Sequence, residues 1–119
     1  MRDYLEIDVK SLTVDDALND VEFSKRPKDF CRYVAIDSAV LDAIEDFEPE
    51  ELYVMMRTIR DYVIDGLMPD YSKLSTAARI SARLIITNHK QRMESEYLKA
   101  YKQFVGGKQG QQKREQQGG

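Results

Sequence analysis

A stretch of about thirty residues without glycine or proline, Thr76–Val105, constrains the fold of this chain more than any other feature. Ser72 or Ser75 can cap its start and Gly106-Gly107 follows its end, so this punctuation predicts one long helix over 76–105. At 1.5 Å per residue the helix is about 45 Å long. A helix of that length in a chain of 119 residues extends beyond any shorter neighbours.

Two shorter helices are predicted before the long one. Apolar residues at helical spacing predict the first over Ile36–Phe47. The second begins at Glu48-Pro49-Glu50-Glu51, where proline suits the first turn and the carboxylates suit the positive end of the helix dipole. Gly66 and Pro69 end it, which sets its range at 50–65 and its length at about 24 Å. We therefore predict an all-α fold, a small helical bundle with a long C-terminal helix.

The two ends of the chain carry weaker signals. Thr13 followed by Asp16 resembles a capping box and predicts one short helix, while the rest of residues 1–29 is expected to be irregular. No apolar residue follows Val105, so we expect residues 106–119 to form a disordered basic tail. The expected organisation is a single helical domain over 1–105, followed by that tail.

The first half of the long helix has two apolar sides on a helical wheel. Ala77, Ile80 and Leu84 lie on one side. Ala78, Ala82 and Ile85 lie on another. Two apolar sides are typical of a helix that packs between other helices.

Large apolar side chains in the second half of the long helix lie where the short helices are not expected to reach. These candidates for a dimer interface are Met93, Tyr97, Leu98, Tyr101 and Phe104. They either fold back on residues 1–30 or meet a second copy of the chain, and we favour the second copy. Burial of several such side chains, at about 1.5–3 kcal/mol each, is enough to hold a homodimer.

Charge is distributed unevenly along the chain. Residues 1–70 contain 18 acidic and 8 basic side chains, whereas residues 71–119 contain 10 basic and 3 acidic ones. This polarity predicts either a surface that faces nucleic acid or a charge-complementary contact of the protein with itself. The net charge of −3 argues against a protein that coats nucleic acid with its whole surface, and it limits any such contact to the C-terminal part.

Six cations of the C-terminal part are the candidate nucleic-acid-binding residues: Arg79, Arg83, Lys90, Lys108, Lys113 and Arg114. The first three fall within about 40° of one another on the wheel and form a basic stripe able to contact phosphates. The last three lie in the tail, where they can follow a phosphate backbone loosely. Arg92, Lys99 and Lys102 point to nearly the opposite side, so the basic surface is patchy. The alternatives are a solvated face that pairs with the acidic half and a tail that only adds solubility.

The sequence contains no recognisable catalytic or metal-binding pattern. His89 is the only histidine and Cys31 the only cysteine, and neither has a predicted partner for metal or nucleophilic chemistry. The acidic clusters at Asp15–Glu22 and Asp42–Glu51 lack a calcium-loop spacing and are expected to be solvated faces. We therefore expect no enzyme activity, no metal and no cofactor.

Membrane insertion and secretion are also not expected. No apolar run approaches the length of about 18 residues that a membrane span needs. The N-terminus alternates acidic and apolar residues, unlike a signal peptide, and a single cysteine forbids an internal disulfide. These features predict a cytoplasmic protein without membrane contact.

Four features follow one another between Phe30 and about Gly107. They are an aromatic-rich start at Phe30–Tyr33, the helix Ile36–Phe47, an E-x-x-E-L helix that ends in a D-G turn at Glu48–Gly66, and a long helix after Leu74-Ser75. This order resembles a family of small phage, prophage and mobile-element proteins of unknown function, over about two thirds of the chain. The resemblance implies an accessory protein encoded near replication or recombination genes, and hence an association with DNA. It implies no catalytic residues.

Two functions from different classes are compatible with these features. The first is a non-enzymatic DNA-associated accessory protein, a homodimer that uses the six cations. The second is a protein–protein adaptor or inhibitor, which contacts a host or phage protein through its acidic N-terminal half. Salt-dependent binding to a DNA duplex distinguishes the two.

Overall fold

The part of the chain that this computed structural model describes, residues 2–31 and 33–118, is helical or irregular and contains no β-strand. Its α-helices are α1 (Val14–Asn19), α2 (Ser38–Ala43), α3 (Pro49–Asp65) and α4 (Thr76–Gln117). Short 3₁₀ turns lie at Val9–Ser11, Pro27–Asp29, Ile44–Asp46 and Tyr71–Lys73. The all-α fold with a long C-terminal helix is confirmed.

The caps that the sequence predicted for α1 and α4 are present. At α1, Asp16 N–H donates to Thr13 Oγ1 (3.2 Å) and Thr13 N–H donates to Asp16 Oδ2 (2.8 Å), which completes the capping box. At α4, Ser75 Oγ accepts from Ala78 N–H at 3.3 Å. Each cap satisfies backbone donors that the first helical turn leaves without a partner.

The bounds of α3 follow from its proline and glycine. Pro49 occupies the first turn, and Gly66 ends the helix in the left-handed conformation with φ of +70°. Only glycine adopts this conformation without strain from a β-carbon. The helix predicted over 36–47 is shorter: α2 begins after Asp37, whose side chain accepts from Ala39 N–H at 2.8 Å, and the chain tightens into a 3₁₀ turn at Ile44–Asp46.

The chain divides into two compact units, where the sequence had predicted one domain over 1–105. Unit 1 contains the residues up to Phe30 and from Met93 onward, and unit 2 runs from Cys31 to Arg92. Helix α4 contributes its first part to unit 2 and its second part to unit 1. Each unit has a core of its own.

The core of unit 2 joins α2, α3 and the first part of α4. Its buried side chains are Val40, Met55, Ile59, Leu74, Ala78, Ala82, Ile85 and Ile86. The apolar stripe of α3 and one side of α4 supply most of this core, as their helical spacing indicates.

The core of unit 1 joins the N-terminal segment to the second part of α4. Its buried side chains are Tyr4, Leu12, Ala17, Phe23, Tyr97, Tyr101 and Val105. Phe23 is central to it, with ring centroids 5.0 Å from Tyr101 and 5.2 Å from Phe104. The first thirty residues are therefore a folded partner of α4, although they contain little regular structure.

The residues that were predicted to form a dimer interface pack inside the chain instead. Tyr97 and Tyr101 are fully buried in the core of unit 1, while Leu98 and Phe104 are partly buried against it and Met93 is half-buried. The alternative of a fold-back on residues 1–30 is the correct one, because Leu12 and Phe23 supply the apolar partners that the short helices cannot.

The predicted end of the long helix at Val105 and the predicted disorder of residues 106–119 are also corrected. Helix α4 continues to Gln117, and Gly119 lies outside the described residues. Gly106, Gly107 and Gly110 each cost a helix about 1 kcal/mol relative to alanine. Side-chain hydrogen bonds offset that cost.

Those hydrogen bonds hold residues 2–7, which we call the N-terminal strap. Gln109 Nε2 donates to Tyr4 O (2.8 Å) and Ile7 O (2.7 Å). Gln112 Nε2 donates to Arg2 O (2.9 Å), and Tyr4 N–H donates to Gln112 Oε1 (3.0 Å). Four such bonds are worth about 1 kcal/mol each, enough to balance the three glycines. The helix end and the strap thus stabilise each other.

Candidate nucleic-acid interface

The predicted basic stripe of unit 2 is only partly open to solvent. Arg79 is half-buried, donates from its guanidinium to Leu74 O at 3.4 Å, and has its Nε buried without a partner among the described residues. Arg83 is exposed and lies over the ring of Tyr71, 4.9 Å from its centroid. Lys90 is exposed. Arg79 is therefore placed to support the start of α4.

The three cations that were predicted to lie in a flexible tail are on α4. Lys108 is half-buried, with its Nζ 5.6 Å from the ring centroid of Phe104. Lys113 and Arg114 are exposed on the helix. The latter two are held in fixed positions on the surface of unit 1.

Two further lysines share the solvent side of α4 in unit 1. Tyr101 marks the buried side, and on a helical wheel Lys99 lies about 160° from it and Lys102 about 100°. In the same direction of rotation, Lys113 lies at about 120° and Arg114 at about 220°, so the four cations span an arc of about 120° on that solvent side. We call Lys99, Lys102, Lys113 and Arg114 the basic face.

The basic face is about 22 Å long from Lys99 to Arg114, at 1.5 Å per residue. Among the described carboxylates of α4, only Glu96 lies on this side of the helix. Gly106 and Gly110 lie on the same side, with nothing within 4 Å of the position a β-carbon would take. The backbone of α4 is therefore accessible between the cations.

Lys99 and Lys102 were left out of the predicted set because they point to nearly the opposite side from Arg79, Arg83 and Lys90, and the helix was predicted to end at Val105. With the helix predicted to end at Val105, Lys113 and Arg114 fell in a disordered tail and could not be assigned to any side of a helix. The signal that could have found the face is the spacing of Gln109 and Gln112, which continues the buried side of α4 one turn further.

The opposite, buried side of α4 meets a cluster of polar groups around Asp20. Asp20 Oδ2 accepts from Tyr101 O–H at 2.8 Å and forms an ion pair with Arg2 NH1 at 3.0 Å, and Oδ1 accepts from the backbone N–H of Glu22 at 3.0 Å. Tyr4 O–H lies 3.0 Å from Asp20 Oδ2 and 2.8 Å from Glu22 Oε2, so its single proton is available to either carboxylate. The cluster fastens the strap to α4.

This cluster shifts the pKa of its members in the directions that its hydrogen bonds dictate. Burial alone raises the pKa of Asp20, but hydrogen bonds from Tyr101, the Glu22 amide and Tyr4, with the charge of Arg2, outweigh it and hold that pKa below its ordinary value of 3.8. Burial and the hydrogen bond to Asp20 raise the pKa of Tyr101 to about 12. Burial and the hydrogen bonds to Glu22 and Asp20 raise the pKa of Tyr4 even further.

Stability is expected to fall at both pH extremes. The depressed pKa of Asp20 contributes stability that is present above pH 3.8 and is lost as the pH falls through the folded-state pKa. The raised pKa of Tyr101 contributes stability that is present below pH 10 and is lost as the pH rises towards about 12. Urea unfolding at a series of pH values checks this. With Asp20→Asn we expect a flatter acid limb, and an unchanged acid limb would contradict the assignment.

Asp20 was expected to belong to a solvated acidic face, but it is 4% exposed. Its neighbours Asp15 and Glu22 are exposed, so the acidic cluster is solvated apart from Asp20 and the half-buried Asp16. Nothing in the local spacing distinguishes Asp20, because three of its partners, Arg2, Tyr4 and Tyr101, are distant in the sequence.

Cys31 and His89 lie together in unit 2, although no cysteine was expected near His89. Cys31 Sγ is 3.8 Å from His89 Nδ1 and donates to Tyr33 O at 3.4 Å, and Cys31 has a φ of +67°. His89 is buried and its ring meets Tyr62 edge-on. Two ligands are fewer than a zinc site needs. Within 2–31 and 33–118, no group of three His, Cys, Asp or Glu side chains is placed to hold a metal ion.

The chain was compared with protein-family models, curated proteins and solved structures, and none of them matches it. Among the described residues, no helix combines the length and the apolar character that crossing a bilayer requires.

Proposed function

We propose that this protein is a non-enzymatic accessory protein of a phage or mobile element and that it associates with nucleic acid through the basic face of α4. The observation that carries the proposal is the concentration of Lys99, Lys102, Lys113 and Arg114 on one side of a folded helix, where Lys102 is half-buried and the other three are exposed. The resemblance of Phe30–Gly107 to small mobile-element proteins supports the biological setting and the association with DNA.

The chemistry of the basic face favours contact with phosphates over recognition of bases. Lysine ammonium groups act as point charges, and Gly106 and Gly110 let a phosphate approach the helix backbone without a side chain between them. Binding is therefore expected to be independent of sequence.

The charge of the rest of the molecule limits the affinity. Unit 1 has 10 basic and 11 acidic side chains, and unit 2 has 8 basic and 10 acidic ones. Neither unit attracts a polyanion as a whole, so attraction depends on the local face. The dissociation constant is expected in the non-specific range, about 10⁻⁴–10⁻⁶ M at physiological salt.

Salt dependence tests the assignment of the face. For four phosphate contacts, the logarithm of the binding constant on duplex DNA is expected to fall with that of the salt concentration with a slope of about −3.6. Replacement of Lys113 and Arg114 by glutamine is expected to reduce the steepness by about two units. Fluorescence anisotropy of a labelled duplex, titrated at several NaCl concentrations, measures both slopes.

A matched control separates the face from net charge. Lys25 and Lys28 are exposed cations outside α4, and their replacement by glutamine removes the same charge. That variant should retain a slope close to that of the unaltered protein. Equal losses in the two variants would show that net charge and not the basic face controls binding, and absence of binding at low salt would refute the proposal.

A protein–protein adaptor is the second candidate function, and exposed apolar side chains favour it. Tyr53, Met56 and Ile64 are exposed on α3, and Leu67 and Met68 are exposed after it. They belong to the same unit as the acidic cluster at Asp42–Glu51. Exposed patches with tyrosine and methionine are typical of protein interfaces. A host or phage protein captured from nuclease-treated lysate, together with no DNA binding, would favour this function over the first.

A further inference from the structure

Only one of the two apolar sides of α4 in unit 2 is covered. Ala78, Ala82 and Ile85 are buried in the core. Ile80 is 63% exposed, Leu84 is 40% exposed, and Ala77 and Thr87 beside them are exposed as well. We call these four residues, Ala77, Ile80, Leu84 and Thr87, the α4 stripe. The helix was predicted to pack between other helices on both apolar sides. Within the described part of unit 2, only the side with Ala78, Ala82 and Ile85 is covered by other residues.

The surroundings of the α4 stripe are basic. No Asp or Glu occurs between Tyr71 and Met93. On a helical wheel the stripe is centred about 180° from Ala82, and Arg83 and Arg92 flank it at about 100° and 280°. Both arginines are exposed and form no ion pair with any described carboxylate. The occupant of the stripe should therefore present an apolar residue between carboxylates.

The same unit contains a segment with that chemistry. Residues 37–51 contain seven carboxylates and no Lys or Arg, and none of the seven carboxylates is ion-paired with a described cation. Within it, Leu41 of α2 is 53% exposed, and Asp42 and Glu45 are exposed beside it. This acidic surface has the complementary charge and a matching apolar residue.

The two surfaces of one copy cannot meet each other. Val40 holds α2 in the core of unit 2, so Leu41 points away from that core. Ala78 and Ala82 hold α4 in the same core, so the α4 stripe points away from it as well. A second copy of the chain can cover both outward-facing surfaces at once.

We infer that the α4 stripe is the docking surface for the acidic α2 surface, Leu41, Asp42 and Glu45, of a second copy of this chain. In a two-fold pair each copy supplies one stripe and one acidic surface, so the contact between stripe and acidic surface forms twice. The apolar contact is small, and the attraction is largely between opposite charges, so the pair is weak and sensitive to salt. This pairing uses none of the residues of the basic face and does not depend on the proposed nucleic-acid binding.

Sedimentation of the nuclease-treated full chain tests the pairing. At tens to hundreds of micromolar and low salt, the apparent mass is expected to rise from 13.8 kDa towards about twice that value. At 0.5 M NaCl, where screening shortens the reach of exposed charges, it should fall back towards the monomer. The variant Ile80→Glu should be monomeric and keep its helical circular dichroism, because Ile80 is not part of the core. A monomeric wild type, or a dimer that survives Ile80→Glu, would overturn the inference.

A charge-swap experiment identifies the occupant. One variant carries Asp42→Lys and Glu45→Lys, and the other carries Arg83→Glu and Arg92→Glu, all at exposed positions. Each variant alone places like charges opposite one another and should be monomeric. Their equimolar mixture restores opposite charges at both contacts and should associate. A mixture that stays monomeric, while the wild type dimerises, would show that the stripe binds something other than the α2 surface.

Discussion

Replacement of Tyr4 by alanine is expected to lower the free energy of unfolding by about 3–5 kcal/mol, the usual cost of truncating a buried aromatic side chain. Tyr4 is completely buried, its ring meets Phe104 edge-on at 5.9 Å, and its hydroxyl lies between two carboxylates. Its loss removes the anchor of the N-terminal strap. Urea unfolding followed by circular dichroism at 222 nm measures the change.

Two matched variants show which part of Tyr4 matters. Tyr4→Phe keeps the ring and removes the hydroxyl, so its cost should be about 1–2 kcal/mol. Tyr33→Ala removes a tyrosine that is 76% exposed and should change stability by less than about 0.5 kcal/mol. If Tyr4→Ala costs no more than Tyr33→Ala, the strap is not part of the folded unit.

Replacement of Asp20 by alanine is expected to cost about 3 kcal/mol, because it leaves several donors without their acceptor inside the protein. The hydroxyl of Tyr101 and the backbone N–H of Glu22 lose their acceptor, and the guanidinium of Arg2 loses its ion-pair partner. The hydroxyl of Tyr4 keeps Glu22 as an acceptor. Arg2 is 41% exposed in its side chain and can turn to water, which places the cost at the lower end for a broken buried pair. Urea unfolding at pH 7 provides the measurement.

A double-mutant cycle with Tyr101→Phe isolates the contribution of one partner. Asp20 and Tyr101 share a 2.8 Å hydrogen bond, so their two changes should be less costly together than the sum of the single changes, by about 1–2 kcal/mol. Glu6→Ala, at an exposed carboxylate of the strap, serves as the control and should be nearly neutral. Additive costs for Asp20 and Tyr101 would contradict the hydrogen bond.

The local features of the fold could be predicted from the sequence. Pro49 and Gly66 mark the ends of α3, Thr13 and Asp16 form the capping box of α1, and Ser75 caps α4. Each of these signals acts through a hydrogen bond or a backbone angle within a few residues, so the chain nearby contains all the information needed.

The non-local contacts could not be predicted in the same way. Gln112 meets Arg2 and Tyr4 across more than 100 residues of chain, and Tyr101 meets Asp20 across 81. A glutamine in a polar, glycine-containing segment is typical of a disordered tail. Only the structure shows that the partners of Gln109 and Gln112 are backbone groups at the other end of the chain. For that reason the end of α4, and with it the positions of Lys113 and Arg114, could not be inferred from the sequence.

The candidate site shows the same limit. Periodicity correctly indicated that α4 has apolar residues on more than one side, but it does not say which sides the chain itself covers. The aromatic side in unit 1, with Tyr97 and Tyr101, is covered by the first thirty residues. The side with Ile80 and Leu84 is exposed. Only the packed structure separates an internal core from a surface that needs a partner.

Helix α4 is folded as far as Gln117, with the strap on one side and the basic face on the other, and the basic face exists only if this is so. Native-state hydrogen exchange of the amides at 107–117, read by NMR on the full chain, tests this claim. We expect these amides to exchange more slowly than in an unstructured peptide of the same sequence, because their hydrogen bonds open only when the strap contacts break. Exchange at the rates of the free peptide would contradict the claim, since a disordered end would leave Lys113 and Arg114 without a fixed surface.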